Sequence, residues 1–253
     1  MKITFLGTAT SQGIPVIGCQ CAACASEDPK DNRLRVSVQV ELNQQTWVID
    51  VGPDFRQQML RAKTKKVDAI LITHEHSDHV AGLDDIRPFN FRYNLDMPIY
   101  TSQVVQDILK QKHPYIFAAT YPGVPRVVLH TISKKNNFKI GDTEVIPIEI
   151  YHGKMPILGF RIQNFAYLTD FKSIQPSELP KLAGIETLVI SALQHKKHHS
   201  HACLKESIDF VKSIGNPKSY FTHISHKMGT HEATSRLLPP NIQLAYDGLV
   251  LEL

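Results

Sequence analysis

Thr73-His74-Glu75-His76-Ser77-Asp78-His79 places four metal-capable side chains, His74, His76, Asp78 and His79, within six residues. The run before it, Val-Asp-Ala-Ile-Leu-Ile at residues 67–72, is apolar and short enough for a buried strand. A strand that ends in a tight loop of His and Asp aims its ligands at one point. Imidazole suits zinc, iron and manganese, and a carboxylate favours the harder of these. Four ligands from so short a loop suit two adjacent ions better than one. A zincin helix is excluded, because neither His74-Glu75 nor His231-Glu232 is followed by a second His at the required spacing. The heptapeptide predicts two-metal chemistry.

The chain holds 13 histidines, so composition alone accounts for some of them. His195, His198 and His199 share a polar stretch with Lys196 and Lys197 and read as surface residues. That account does not extend to His-x-His-x-Asp-His behind a strand.

Outward from the motif, β-like runs recur at residues 3–6, 36–42, 46–50, 69–73, 127–132, 143–150, 159–163, 166–169, 187–191, 219–222 and 249–253. Helix-like segments lie at 55–62, 102–112, 176–182, 205–214 and 230–237. Early strands alternate or form hairpins, and later ones are separated by helices. The mixture predicts an α/β fold of two facing sheets with helices outside, as one domain over 1–253. Four of the runs stop at a polar ligand: His74, His152 after Tyr151, Asp170 and His223. If those strand ends share one edge, the ligands converge although they are distant in sequence.

The totals fit this picture. The 253 residues suffice for one large domain, and 42% apolar with 21% charged residues is ordinary for a globular chain. A net charge of +4 accords with a phosphate-bearing substrate and is too weak for a nucleic-acid track. No apolar run reaches the ~18–20 residues of a membrane span, and residues 1–7 read as a strand rather than a signal-peptide core. A cytoplasmic protein without membrane or nucleic-acid partners is expected, and a homodimer is left open. With four cysteines, three of them crowded together, a secreted disulfide framework is not indicated.

Cys19-Gln20-Cys21-Ala22-Ala23-Cys24 is the second cluster. Thiolates at this spacing can wrap one zinc ion, with Cys203, His226 or His231 as the fourth ligand. An iron–sulfur cluster completed by Cys203 and plain free thiols are the alternatives. A thioredoxin-like reading of Cys21 and Cys24 fits poorly, because no strand–helix start frames them.

His-x-His-x-Asp-His after a strand, followed by His152, Asp170 and His223 each closing a later strand, resembles the metallo-β-lactamase superfamily over essentially the whole chain. The resemblance implies an αββα sandwich with a two-metal site on one edge. His74, His76 and His152 would hold one ion, Asp78, His79 and His223 the other, and Asp170 would bridge them. The cysteine cluster together with Thr222-His223-Ile224-Ser225-His226 is similar to the phosphoribosyl cyclic-phosphate phosphodiesterase family. That likeness implies a structural zinc on Cys19, Cys21, Cys24 and His226, and puts His201, behind Ser200, in the place of a catalytic histidine. Residues 82–90, Gly-Leu-Asp-Asp-Ile-Arg-Pro-Phe-Asn, depart towards a related subgroup.

The expected activity is hydrolysis of a small phosphodiester, cyclic and ribose-linked. Two ions, zinc or manganese, would share a hydroxide that Asp170 orients, and His201 would donate a proton or a hydrogen bond to the leaving alkoxide. Arg33, Arg35, Arg56 and Arg87 are candidate phosphate binders, each with a surface ion pair as the alternative. An RNA 3′-processing nuclease and a thiolester or lactone hydrolase share the metal motif. A metal-stapled scaffold without catalysis is the third alternative.

Overall fold

Apolar residues at alternate positions organise the first sheet. The computed structural model describes residues 1–118 and 122–253. The first six strands are β1 (Lys2–Gly7), β2 (Ser37–Leu42), β3 (Gln45–Ile49), β4 (Ala69–Leu71), β5 (Met97–Thr101) and β6 (Val127–Thr131). Eight more, β7 (Phe138–Ile140), β8 (Thr143–His152), β9 (Met155–Ile162), β10 (Phe165–Leu168), β11 (Ser173–Ile174), β12 (Thr187–Ser191), β13 (Lys218–Thr222) and β14 (Ile242–Leu244), form the second sheet. The last strand, β15 (Val250–Glu252), returns to pair with β1 in the first.

Alternation assigns each strand's two faces. Trp47 and Ile49 of β3 join Phe5, Val38 and Leu71 in the layer between the sheets, where they meet Phe160, Phe165, Tyr167 and Val189. Val48 points the other way, into a cluster with Phe55 and Leu109. In β12, Val189 faces inwards while Leu188 and Ile190 pack outwards against Leu204 and Val211. Strands buried on both faces are near-continuously apolar, which is why β4 and β12 stand out in the sequence.

The outer layers are helical. α1 (Phe55–Ala62), α2 (Ser77–Val80), α3 (Arg87–Tyr93), α4 (Gln103–Lys112) and α5 (Pro114–Phe117) follow strands of the first sheet, and α6 (Leu204–Ser213) and α7 (His231–Ser235) those of the second. Ser102 caps α4 by accepting the Val105 amide, and Lys110 and Lys112 sit at its negative end. Segment 176–182, expected as a helix, is a 3-10 helix, since Pro176 and Pro180 lack the N–H of a regular ladder. The expected 230–237 helix is shorter, with Thr230 as its cap. The two sheets with helices outside form the αββα sandwich of the metallo-β-lactamase type.

Strand direction places the ligands. β8 and β10 are both antiparallel to β9, so they run the same way, and β10, β12 and β13 are mutually parallel. The carboxyl ends of β8, β10 and β13 therefore share one edge, where His152, Asp170 and His223 lie. β4 delivers the His74 loop to the same place. No helix among the described residues is long and apolar enough to cross a membrane.

Candidate metal centre

The residues of the heptapeptide and the three strand ends meet in one cluster. Nε2 of His74 lies 3.1 Å from Nδ1 of His76, and the two join His152 as a set whose ligand atoms lie within 4.8 Å of one another. Asp78, His79 and His223 form a second such set. Asp170 stands between them. Its Oδ2 is 3.2 Å from Nε2 of His79, its Oδ1 is 3.1 Å from Nε2 of His223, and it also groups with His74.

Three of these imidazoles have their tautomer fixed from behind. Nδ1–H of His79 donates to Asp50 Oδ2 at 2.7 Å, which leaves Nε2 as the free lone pair. Nδ1–H of His74 donates to the Thr73 hydroxyl at 2.9 Å, and that hydroxyl donates to Asp50 at 2.9 Å. Nδ1–H of His152 donates to the Ser200 carbonyl at 2.9 Å. Each ring then turns its other nitrogen into the cluster, as ligating histidines do.

The donor set fits divalent ions. Among the described residues, Nε2 of His79 and both ring nitrogens of His223 are buried without a hydrogen bond. Bonds of ~2.0–2.2 Å place neighbouring ligand atoms about 2.9–3.5 Å apart, and the spacings above match this. Electrostatics agree. Burial disfavours a charged His79, yet Asp170, Asp50 and Asp78 outweigh it and hold its pKa well above the ordinary value. Burial likewise disfavours the Asp170 carboxylate, but His223 and His79 hold its pKa well below the usual range. Negative charge and lone pairs converge here with only protons to share.

Backbone shape serves the same end. Asp50, Asp170 and His223 all adopt left-handed conformations, with φ of 66°, 55° and 54°. Such values are uncommon outside glycine and cluster at functional sites. Gly52 lets the loop close: a Cβ there would fall 2.1 Å from the Asp78 carbonyl oxygen.

His201 lies beside the cluster at 8% exposure. Its ring centroid is 4.3 Å from that of His152 and 4.9 Å from that of His223, and its Nδ1 is 3.8 Å from Asp170 Oδ1. Burial first, and then His223, push its pKa down to about 2. By distance alone His201 also groups with His152 and Asp170 as a ligand set. His195, by contrast, contacts the Met228 carbonyl, and His199 is exposed.

The cysteine cluster forms a separate centre. Sγ of Cys19, Cys21 and Cys24 lie 3.2, 3.5 and 3.7 Å from Nδ1 of His226. A tetrahedral zinc with Zn–S ~2.3 Å and Zn–N ~2.0 Å sets that spacing at about 3.5 Å. The Cys24 backbone amide, then the Cys19 and His226 side chains, bring the Cys21 thiol down to about 6 against its burial. Burial pushes the Cys24 thiol up to about 11. Of the other fourth-ligand candidates, Cys203 is buried at the start of α6 and Nδ1 of His231 lies 3.0 Å from Arg33.

Asp50 and Thr73 were not anticipated as site residues, although residues 46–50 form one more strand-like run ending in Asp. Three of the four candidate phosphate-binding arginines are occupied by the protein. Arg33, 2% exposed, donates to Thr8 and the Ala245 carbonyl, Arg35 pairs with Asp54 at 3.1 Å, and Arg87 bonds Asp84. Arg56 is exposed on α1.

Comparisons agree with the geometry. Residues 46–224 match the family described as Beta-lactamase superfamily domain. A crystal structure described as a new diphosphatase from the PhnP family is 42% identical, covers 99% of this chain and 96% of its own, and superposes with a TM-score of 0.92. Zinc-bound PqqB from Methylobacterium extorquens, 20% identical with a TM-score of 0.80 over the full length of both chains, shares the fold. A protein of Porphyromonas gingivalis named Octanoyltransferase is 40% identical over 252 residues, which are 98% of this chain and 51% of that protein. Ribonuclease Z of Acaryochloris marina is 29% identical over 64% of this chain and 48% of its own length. The chain thus spans about half the length of the curated relatives it matches. Its ligand motif, its sandwich and the matched residues together show that the chain belongs to the beta-lactamase superfamily of metal-dependent hydrolases.

Proposed function

We propose that the chain is a two-metal phosphodiesterase acting on a small phosphodiester, cyclic and ribose-linked. His74, His76 and His152 would hold one ion, Asp78, His79 and His223 the other, with Asp170 shared. Zinc or manganese suits this donor set. Such a pair lowers the pKa of water from ~15.7 towards ~7 and offsets charge on phosphoryl oxygens. The carrying observation is the Asp170 carboxylate, with one oxygen turned to each of two histidines of the second set and His74 within reach.

The chain's own groups supply the rest. Asp170 accepts a hydrogen bond from the attacking water and fixes its direction. Burial first, and then His223, push the pKa of His201 down, which favours its neutral form. Of the two roles open to it, hydrogen-bonding the leaving oxygen is therefore the better supported. Likeness to a diphosphatase 42% identical over nearly the whole chain favours bond-breaking at phosphorus. Cys19, Cys21, Cys24 and His226 would hold a structural zinc that ties the N-terminal loop to the segment bearing His223.

The test is an assay of manganese- or zinc-loaded protein on 5-phosphoribosyl 1,2-cyclic phosphate beside a generic aryl phosphodiester. Selective opening of the cyclic ester supports the reading, and cleavage of the aryl ester alone keeps the chemistry but moves the substrate. No reaction of either, at full metal loading, overturns it. A second reading, hydrolysis of a thiolester, shares the same metal set; turnover of a thioester without phosphodiester cleavage would establish that alternative.

A further inference from the structure

His198, one of four histidines between residues 195 and 201, takes no part in the steps above. It is half-buried beside the metal centre. Its ring centroid is 5.3 Å from that of His201, which is itself 4.3 Å from that of His152. The Ser200 amide donates to its Nδ1 at 3.4 Å, and the Ser200 hydroxyl donates to the same nitrogen at 3.2 Å. Nδ1 therefore accepts and the proton sits on Nε2, which has no partner among the described residues. His74, His79 and His152 have the reverse arrangement: Nδ1–H donates backwards and Nε2 keeps a lone pair. Those rings are set to take a cation, and His198 is set to donate to an anion. Its surroundings are cationic and held in place. The Ser200 carbonyl accepts from the Gly153 amide and from His152 Nδ1, both at 2.9 Å, and His195 Nε2 lies 2.9 Å from the Met228 carbonyl. Residues 195–200 are thus fastened at both ends, to the turn after His152 and to the segment after His223. Lys227 in that segment is exposed, as are Lys196 and Lys197, and none of the three has an acidic partner among the described residues. Burial first, then His199, Lys172, His152 and Lys227, push the pKa of His198 down, so Lys227 is close enough to act on its ring. Lys172 is taken by Glu206 at 3.0 Å.

We propose that His198 and Lys227 receive the 5-phosphate of a ribose-linked cyclic ester whose reacting phosphorus lies at the metal centre. The inference rests on the phosphodiesterase reading and deepens it by naming the groups that hold the substrate's second phosphate. That phosphate stands at the other end of the sugar from the cyclic diester, and His198 stands one ring out from His201. Arg33, Arg35 and Arg87, expected as phosphate binders, are committed to protein partners. A free N–H donor with an unpaired ammonium close by suits a phosphate dianion, because hydrogen bonds to ionised acceptors are the strong ones.

The test compares 5-phosphoribosyl 1,2-cyclic phosphate with ribose 1,2-cyclic phosphate on the manganese-loaded full chain. kcat/KM is expected to be about tenfold or more higher for the phosphorylated ester, mainly through KM, the usual scale of a hydrogen bond to a charged group. The unphosphorylated ester is the internal control, since damage to the metal centre or to His201 lowers both values alike. His198→Ala should bring the ratio towards one, and Lys227→Glu, on an exposed side chain, should lower it as well. A ratio of one on the unmodified chain, or a ratio that both variants leave intact, overturns the site. Calorimetric binding of ribose 1,5-bisphosphate against ribose 1-phosphate reads the same preference without turnover. If neither cyclic ester is opened, the phosphodiesterase reading falls, while tighter binding of the bisphosphate that His198→Ala abolishes still supports the second-phosphate site. Equal affinity for the two sugars on the unmodified chain overturns it.

Discussion

The Asp50 carboxylate lies 2.7 Å from Nδ1 of His79 and, through the Thr73 hydroxyl, one further hydrogen bond from Nδ1 of His74. One fully buried acid thus orients a histidine in each of the two ligand sets. Burial pushes its pKa up, and His79 and the Thr73 amide and hydroxyl counter this.

Asp50→Asn should loosen both sets at once. Removing the charge behind ligating histidines typically lowers metal affinity ~10–100-fold. Metal titration followed by mass spectrometry of bound metal checks this. Unchanged stoichiometry and affinity would show that Asp50 only packs.

His201→Ala should cut turnover by ~10²–10³-fold, as loss of one hydrogen bond to a developing oxyanion does, while bound metal stays constant. Metal content and kcat measured on one preparation decide the matter. Loss of an ion would make His201 a ligand with His152 and Asp170 instead.

Cys21→Ser should remove one equivalent of zinc and leave the other metals bound. A loss of about 2 kcal/mol in a chain of this size lowers Tm by roughly 4–8 °C. A variant with the parent's zinc content and Tm would return the cysteines to the status of free thiols.

Gly52→Ala should drive the Asp78 carbonyl from its place, because the new Cβ would sit 2.1 Å from that oxygen. Overpacking of this kind costs about 1–3 kcal/mol. Denaturant unfolding and metal affinity should both register it, and a silent variant would mean that the loop yields freely.

His231 gives a pH signature away from the metal ligands. Its burial, then Arg33 and Lys30, push its pKa down to about 4. The folded state therefore keeps the ring neutral, whereas the unfolded chain takes up a proton below about 6.5. The contribution is whole above about 6.5 and is lost as pH falls towards 4. Tm of the parent minus that of His231→Gln should decline over this interval, and a flat difference would remove His231 from the acid response.

Much of the site was readable because chemistry coincides with strand ends. Apolar runs that stop abruptly at His74, Asp170 and His223 have no packing reason to do so. Asp50 escaped notice because an Asp after a strand is also an ordinary turn residue. His201 could be singled out from its neighbours only by resemblance, since periodicity does not separate four histidines in one loop. Pro88 and Pro98 concealed α3 and β5: proline suits a helix's first turn and discourages a strand, and only tertiary context decides.

The left-handed backbone at Asp50, Asp170 and His223 places a ceiling on thermal hardening of this chain. Each is a place where glycine would relax the conformation, by about 1–3 kcal/mol of local strain. Replacement there would favour a sturdier but idle molecule. Directed evolution for heat resistance alone should drift towards glycine at these three positions, and selection for turnover should hold them fixed.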